Sequence, residues 1–140
     1  MMALIIDASV AFKWYVPEAD SHIALALLDR RDELVAPELI LIEVINAMWA
    51  RLRGQNKFRK SIVAASVALP RALDSIHPLT DLLPRSLELA IELDHALYDC
   101  TYLALAERMN SKLITADAKF LRKVENSSCA QFIAELSAVA

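Results

Sequence analysis

Glycine and cysteine are scarce in this chain, and each shortage excludes a class of protein. The 140 residues contain one glycine, Gly54. The P-loop and the dinucleotide-binding fingerprint each need several glycines so that the backbone can approach phosphate closely, so a nucleotide cofactor held by a glycine-rich loop is excluded. The two cysteines, Cys100 and Cys129, have no CxxC or Cys/His companion at zinc-ligand spacing. We expect both thiols to stay reduced in a cytoplasmic protein.

Long hydrophobic runs and an excess of positive charge are missing as well. The most apolar long stretch, residues 34–50, is interrupted by a proline and three polar residues. It therefore falls short of the roughly 18 consecutive apolar residues of a membrane span. The apolar start ends at Asp7 and has no basic residues, unlike a signal peptide. The net charge of -3 argues against electrostatic coating of nucleic acid. We expect a soluble protein with no membrane partner.

The composition that remains is that of a folded chain. Hydrophobic residues make up 56% and charged residues 24% of the sequence, which excludes a disordered protein. A prior of roughly 150 residues per domain predicts one domain over residues 1–140.

Short apolar runs alternate with helical patterns along the chain. The apolar runs predict buried strands at residues 3–6, 34–36, 75–77 and 112–115. The patterns between them predict helices at about residues 21–31, 38–53, 58–73, 81–93, 98–109 and 118–124. The two helices on either side of Gly54 predict a helical hairpin, and polar residues 125–128 predict a loop before a last helix. Strands separated by helices predict a parallel sheet in a three-layer α/β/α domain.

Four acidic residues fall at unusual places in this arrangement. Asp7 directly follows the first predicted strand, and Asp117 follows the fourth after Thr115 and Ala116. Glu43 lies within the apolar pattern of its helix, and Asp99 opens the helix at 98–109. Ligand sites of open parallel sheets lie beyond the carboxyl ends of the strands. We therefore expect one edge of the sheet to gather these four acids.

A bound divalent metal is one explanation for acids in such places. Glu43 has no lysine or arginine within one helical turn, and an ionised carboxylate among apolar neighbours is costly without a partner. Mg²⁺ or Mn²⁺ prefers oxygen ligands and would supply the missing charge. Ordinary structural alternatives stay open: Asp7 and Asp117 as helix N-caps, Asp99 as a partner of the helix dipole, and Glu43 paired with a distant arginine.

Four motifs in this order resemble the PIN-domain family, and within it the VapC-type toxins. The likeness covers residues 2–124 and rests on Asp7-Ala8-Ser9-Val10 with Lys13-Trp14, on Glu43 with Asn46-Ala47, on Tyr98-Asp99 with the run 102–106, and on Leu113-Ile114-Thr115-Ala116-Asp117. Cys100 stands where alanine is usual, and residues 110–111 stand where a glycine is common. The tail 131–140 matches little.

The resemblance implies a PIN-like fold and an endoribonuclease that depends on Mg²⁺ or Mn²⁺. It places the catalytic and metal-holding acids at Asp7, Glu43, Asp99 and Asp117. It also places polar residues around that site at Ser9, Asn46 and Thr115, whose alternatives are a helix cap, an exposed amide and an ordinary strand residue. The implied partners are RNA, a cognate antitoxin of a type II toxin-antitoxin system, and a second copy of the chain.

Basic and aromatic residues are candidates for contacts with RNA. The candidate phosphate contacts are Lys13, Arg51, Arg53, Lys57 and Lys119, with a solvated surface as the alternative for each. Trp14 and Tyr15 are candidates for base stacking, although core packing is the commoner role. The three histidines are expected to be ordinary local residues, because none lies in a catalytic motif.

One helix offers a candidate interaction surface. Its residues Ile40, Val44, Met48 and Trp49 predict an exposed apolar surface for a homodimer or an antitoxin, and core packing explains them equally well. Two other functions remain open. One is an interaction module without catalysis, which would have no reason to keep four mutually repelling carboxylates. The other is a housekeeping RNA-processing enzyme or structure-specific nuclease of the same fold.

Overall fold

A five-stranded parallel sheet forms the centre of the computed structural model, which describes residues 2–139. The strand order is β3-β2-β1-β4-β5, with β1 (Ala3–Ile6), β2 (Glu33–Pro37), β3 (Ser75–His77), β4 (Lys112–Thr115) and β5 (Ile133–Glu135). The four predicted strands are confirmed. Leu4, Ile5 and Ile6 of β1 are all buried, because a central parallel strand is covered on both faces.

Seven α-helices connect these strands within residues 2–139. They are α1 (Ala8–Tyr15), α2 (Ser21–Ala26), α3 (Leu39–Leu52), α4 (Arg59–Ala72), α5 (Leu83–Leu93), α6 (Leu97–Arg108) and α7 (Ala118–Glu125). The prediction of one helix over 21–31 was too long. The chain tightens into a 3₁₀ turn at Leu27–Asp29, which brings it around to β2.

Helices α3 and α4 form the predicted hairpin. Gly54 follows α3 with a φ of +85°, a left-handed conformation that glycine adopts without steric cost. The prediction of an exposed apolar surface on α3 was wrong for Ile40, Val44 and Met48, which are buried. They recur every four residues and therefore lie on the one side of the helix that faces the core. Only Trp49 of that set is exposed.

Helices cover the sheet on both faces, which gives the expected three-layer α/β/α arrangement. Helix α6 packs against β1, β2 and β4, and its residues from Cys100 to Ala106 are all buried. Helix α1 packs against β4 and against α3. A helix that is buried on every side, as α6 is, provides a rigid support for any side chain at its first turn.

The order of the strands reverses at β1. From β1 the chain passes to β2 on one side, and it later returns to pair β4 with the other side of β1. The backbone amide of Asp7 donates to the carbonyl of Ile114 at 3.1 Å, so the carboxyl ends of β1 and β4 stay paired to their last residues. Open parallel sheets bind ligands at such a reversal point.

The tail differs from the prediction. In place of a last helix, the chain forms β5 and a 3₁₀ turn over Leu136–Val139. Ile133 and Leu136 of this tail are buried. Two apolar residues three positions apart are too few to show a helical or a strand period in the sequence. Between residues 2 and 139 no helix is long and apolar enough to cross a membrane.

Candidate functional site

Asp7 lies at the reversal point and is held by hydroxyl groups. Its Oδ2 atom accepts hydrogen bonds from Ser9 Oγ at 2.5 Å and from Thr115 Oγ1 at 2.8 Å. Although Asp7 occupies the N-cap position of α1, its side chain makes no capping bond, so the capping alternative was wrong. The side chain is 5% exposed, and this burial raises the pKa of Asp7 to about 6 against the hydrogen bonds that lower it.

The two hydroxyl groups have their orientation set by the backbone. Ser9 Oγ accepts from the amide of Ala116 at 3.0 Å, and Thr115 Oγ1 accepts from the amide of Asp117 at 3.1 Å. Each hydroxyl therefore takes a backbone proton and gives its own proton to Asp7. Ser9 is thus more than a helix cap, and Thr115 is more than a packed strand residue.

Glu43 faces the same region from α3. Its Oε1 atom accepts a hydrogen bond from the hydroxyl of Tyr102 on α6 at 2.7 Å. Burial, followed by repulsion from Asp7 and Asp99, raises the pKa of Glu43 to about 7. The alternative of a distant arginine is not observed, because no lysine or arginine of residues 2–139 forms an ion pair with this carboxylate.

Asp99 lies in the first turn of α6, where a negative charge also interacts favourably with the helix dipole. Its Oδ2 atom is 2.6 Å from Nε2 of His95, one helical turn earlier. The charge of Asp99 contributes to the raised pKa of both Asp7 and Glu43. The three carboxylates therefore form one electrostatic group.

Asp117 has the structural role that its sequence position suggested. It caps α7, with Oδ1 accepting from the amides of Lys119 at 3.0 Å and Phe120 at 3.1 Å. Its own amide donates to Thr115, the residue that holds Asp7. Asp117 is thus connected to Asp7 through Thr115.

All four carboxylates share one pattern of hydrogen bonding. Across residues 2–139, side-chain and capping hydrogen bonds reach one oxygen of each carboxylate, namely Oδ2 of Asp7, Oε1 of Glu43, Oδ2 of Asp99 and Oδ1 of Asp117. The second oxygen of Glu43, of Asp99 and of Asp117 has no such bond in this part of the chain, whereas the backbone amide of Ala8 also acts on the carboxyl group of Asp7 and lowers its pKa. Among the same residues, no three acidic, histidine or cysteine side chains converge into a ready-made metal cage.

A cavity of about 300 Å³ opens beside Ser9 and Glu43. Its lining includes Phe12, Lys13 and Glu18. The Lys13 ammonium donates to Glu18 at 3.1 Å, and Arg51 donates to the other oxygen of Glu18 at 3.1 Å while lying over the Phe12 ring. Two of the candidate RNA-contacting cations are therefore held together by one carboxylate at the mouth of this cavity.

The remaining candidates are dispersed. Arg53, Lys57 and Lys119 are exposed, and Asn46 is exposed without a side-chain hydrogen bond to any residue between 2 and 139. Base stacking by Trp14 was a wrong prediction, because its ring is buried and its Nε1 donates to the carbonyl of Ala24 at 2.8 Å.

Three residues that contact the site, Glu18, His95 and Tyr102, were not predicted from the sequence. Tyr102 lies three residues after Asp99 on α6, a helical spacing that could have revealed it. His95 precedes α6 and contacts Asp99 only because of the turn between α5 and α6. Glu18 follows a proline in a loop outside any periodic pattern, so no local signal pairs it with Arg51, 33 residues later.

Comparison with known proteins places these features in one family. A model of the PIN domain matches residues 4–126, which is most of the chain. The chain belongs to the PIN domain family. A relative within this family is Ribonuclease VapC3 of Pyrobaculum aerophilum, which is 30% identical over 125 residues that cover 87% of this chain and 95% of the relative.

Two solved structures share the PIN-domain fold of this chain. VapC20 of Mycobacterium tuberculosis, described as a toxin that cleaves the sarcin-ricin loop, superposes with a TM-score of 0.69 at 17% identity over 84% of this chain and 92% of its own. PAE2754 of Pyrobaculum aerophilum superposes with a TM-score of 0.67 at 22% identity over 99% and 92%. At these identities the likeness concerns the fold alone.

Proposed function

We propose that this PIN-domain protein is an endoribonuclease that depends on Mg²⁺ or Mn²⁺, acts in the cytoplasm, and is the toxin of a VapBC-like pair. The observation that carries the proposal is the group of Asp7, Glu43 and Asp99 at the reversal point of the sheet. These carboxylates repel one another, and no lysine or arginine of residues 2–139 neutralises them. The 30% identity to a ribonuclease over nearly the whole chain supports the same activity. We further propose that residues 1–140 form one domain.

The donor set fits a hard divalent cation. Each acid has one oxygen fixed by a hydrogen bond of the protein, and the second oxygen of Glu43, Asp99 and Asp117 has no such side-chain or capping bond in the described chain. Mg²⁺ keeps several waters and uses few protein carboxylates, so it does not require a closed cage. Asp7 and Asp99 would be its main ligands, with Asp117 as a ligand or a residue that orients water. When bound, the ion would offset charge on the phosphate and activate the attacking water.

Glu43 has the properties of a residue that exchanges protons near neutral pH. Burial and the neighbouring acids raise its pKa to about 7, and Tyr102 fixes one of its oxygens. A general base works best when its pKa is close to the working pH. We assign to Glu43 either this role or that of a further metal ligand.

Cations beside the cavity would hold the RNA. Lys13 lines the cavity next to Glu43 and is largely buried, and Arg51 is exposed and shares Glu18 with it; RNA phosphates would compete with Glu18 for both cations. Arg53, Lys57 and Lys119 are exposed and would extend the contact along the strand.

An exposed apolar stripe on α5 supports a homodimer. Leu83, Leu87 and Ile91 recur every four residues and are more than half exposed. Tyr98 lies beside Leu83 in the lining of one shallow pocket, so the apolar surface continues onto α6. A contiguous apolar stripe of this kind marks an interaction surface, and a second copy of the chain is the occupant that we propose.

A cognate antitoxin would cover a different surface. The groove of the α3–α4 hairpin is lined by Trp49, Leu52, Ile62 and Val63 together with Arg53 and Arg59. An amphipathic segment with apolar and acidic residues would fit it. A short neighbouring gene for a DNA-binding protein would favour the toxin role, and its absence would favour housekeeping RNA processing.

The activity is tested with labelled RNA and the full chain. We expect cleavage with Mn²⁺, products with 5′-phosphate ends, and no cleavage with EDTA. Asp7→Asn and Asp99→Asn should each reduce the rate at least about a hundredfold, since they remove charge from the core of the acidic group. Asp81→Asn, at an exposed aspartate, is the matched control and should retain the wild-type rate.

Two results would refute this assignment. Cleavage that persists in EDTA, or in either variant of the acidic group, excludes the metal mechanism. Binding of RNA without cleavage by the wild-type protein would favour the interaction module without catalysis.

A further inference from the structure

His95 occupies a tightly defined turn between α5 and α6. Asp94 ends α5 in the left-handed conformation with a φ of +49°, and the amide of His95 donates back to the carbonyl of Ala90 at 3.1 Å. This closure of the helix end starts α6 two residues later. It places His95 one turn before Asp99, on the same side of the chain.

The ring of His95 is held from two directions. Nε2 is 2.6 Å from Oδ2 of Asp99, and the ring packs on Phe120 of α7 with 4.6 Å between centroids and 31° between planes. Lys123, also on α7, donates to the carbonyl of Asp94 in the same turn. The side chain of His95 is 9% exposed. Helix α7 therefore fixes both the backbone and the ring of this turn.

The hydrogen bond determines which oxygen of Asp99 remains for other partners. It engages Oδ2, and no side chain of residues 2–139 bonds to Oδ1. An Asp99 without this bond would be free to rotate about its side-chain torsions, because it is partly exposed in the first turn of α6. Partners of this kind that orient metal-binding side chains commonly contribute about 10- to 100-fold in metal affinity.

We propose that His95 is a positioning residue, which holds Asp99 so that its Oδ1 atom faces Asp7 and Glu43; this inference rests on the proposed metal-dependent function. His95 is not a ligand in this assignment, since its Nε2 is used by Asp99. The turn between α5 and α6, together with Phe120, is thereby part of the site although no acid of the group lies in it.

Two substitutions separate the hydrogen bond from the packing. His95→Phe keeps a ring against Phe120 and removes the donor, whereas His95→Gln removes the ring and keeps an amide donor at a similar reach. The matched control is His22→Ala, at an exposed histidine on α2. Mn²⁺ binding to the full chain is measured by titration calorimetry, and RNA cleavage is measured over a range of Mn²⁺ concentrations.

We expect His95→Phe to weaken Mn²⁺ binding about tenfold and to shift the Mn²⁺ dependence of cleavage by a similar factor. His95→Gln should keep most of the wild-type Mn²⁺ affinity and most of the wild-type Mn²⁺ dependence of cleavage. His22→Ala should match the wild type in both measurements. If His95→Phe does not fold, His95→Ala replaces it in the same comparison with His95→Gln.

Three outcomes overturn the inference. Wild-type Mn²⁺ affinity in the variant without a donor shows that the hydrogen bond does not position Asp99. Equal weakening in His95→Phe and His95→Gln shows that both ring and donor, or the local fold, are responsible. Absence of Mn²⁺ binding in the wild type refutes the proposed function together with this role, and is distinguished from the first two outcomes by the wild-type titration.

Discussion

Asp7, the most buried acid of this protein, is held by hydroxyl groups. No lysine or arginine of the described residues pairs with it. Ser9 and Thr115 each donate to Asp7, and their hydrogen bonds lower its pKa less than burial raises it. A carboxylate in such surroundings remains costly to ionise. The metal-free protein therefore carries an energetic penalty at neutral pH that a divalent cation would relieve.

This penalty predicts a pH-dependent effect of Asp7→Asn on stability. The carboxyl titrates at about 6 in the folded chain and near its ordinary value of 3.8 when unfolded, so stability is lost as pH rises from about 4 through 6. Asparagine cannot ionise and avoids this loss. We compare the unfolding free energy of Asp7→Asn with that of the wild type in EDTA. We expect this difference to be about 2 kcal/mol more favourable to the variant at pH 8 than at pH 4.

Urea unfolding at the two pH values measures this difference. Asp81→Asn is the control at an exposed position. An Asp7→Asn effect that is equal at pH 4 and pH 8 would contradict the raised pKa.

Thr115→Val tests the link between Asp7 and Asp117. Valine keeps the shape of threonine in β4 but removes a donor to Asp7 and leaves the amide of Asp117 without its acceptor. We expect a loss of about 1 to 3 kcal/mol in unfolding free energy at pH 5. Thr101→Val is the matched control, because Thr101 is also buried and donates only to a carbonyl of its own helix. Equal losses in both variants would exclude a special role for Thr115.

At the scale of elements, the sequence predicts the strands and helices whose apolar residues repeat with a regular period. It does not predict the short elements whose positions depend on how the folded chain closes around the core. The strands β1 to β4 and the long helices α3, α4 and α6 appear at nearly the expected positions, because burial imposes apolar repeats on them. Strand β5 has three residues and α2 ends in a 3₁₀ turn, and such short pieces carry no readable period.

In the candidate site too, the sequence predicts some features and not others. Asp7 and Asp117 could be placed from the sequence because each directly follows or nearly follows a parallel strand. The orientation of their side chains could not, since it depends on Ser9, Thr115 and backbone amides that come together only in the fold. The apolar residues of α3 were ambiguous for a related reason: a helical period shows that one side is apolar and does not show what covers it.

The ion pair between Glu18, in the loop after α1, and Arg51 of α3 predicts an effect on RNA binding. Glu18 partly neutralises Arg51 at the cavity mouth, so Glu18→Gln should tighten binding of a short RNA up to about fivefold at low salt. Arg51→Gln should weaken it by a similar factor. Binding is measured by fluorescence anisotropy at two salt concentrations, with a catalytically inactive Asp7→Asn background.

The control is Arg71→Gln, which removes one positive charge as Arg51→Gln does. Arg71 is exposed and does not line the cavity. Tighter binding in Glu18→Gln that persists unchanged at high salt would contradict an electrostatic cause. Weakening of equal size in Arg71→Gln would show that overall charge, and not this cavity, attracts the RNA.

At the scale of the whole molecule, the apolar stripe on α5 predicts an oligomeric state. Leu87 is 52% exposed in the middle of that stripe, and Leu87→Glu would place a charge within the proposed interface. We expect a dimer for the wild type at about 10 μM and a monomer for the variant, by light scattering coupled to size exclusion. Val67→Glu on α4 has similar exposure and should leave the dimer intact. A monomeric wild type would refute the assignment.

The central position of β1 has a consequence for when the acidic group forms during synthesis. Asp7 and its partner Thr115 are 108 residues apart, and Thr115 ends β4, the strand that pairs with the second side of β1. Contacts of such long sequence separation form late in folding. A nascent chain from which β4 has not yet emerged therefore cannot hold Asp7 as the folded protein does, and the acidic group forms only after residues 112–117 have left the ribosome.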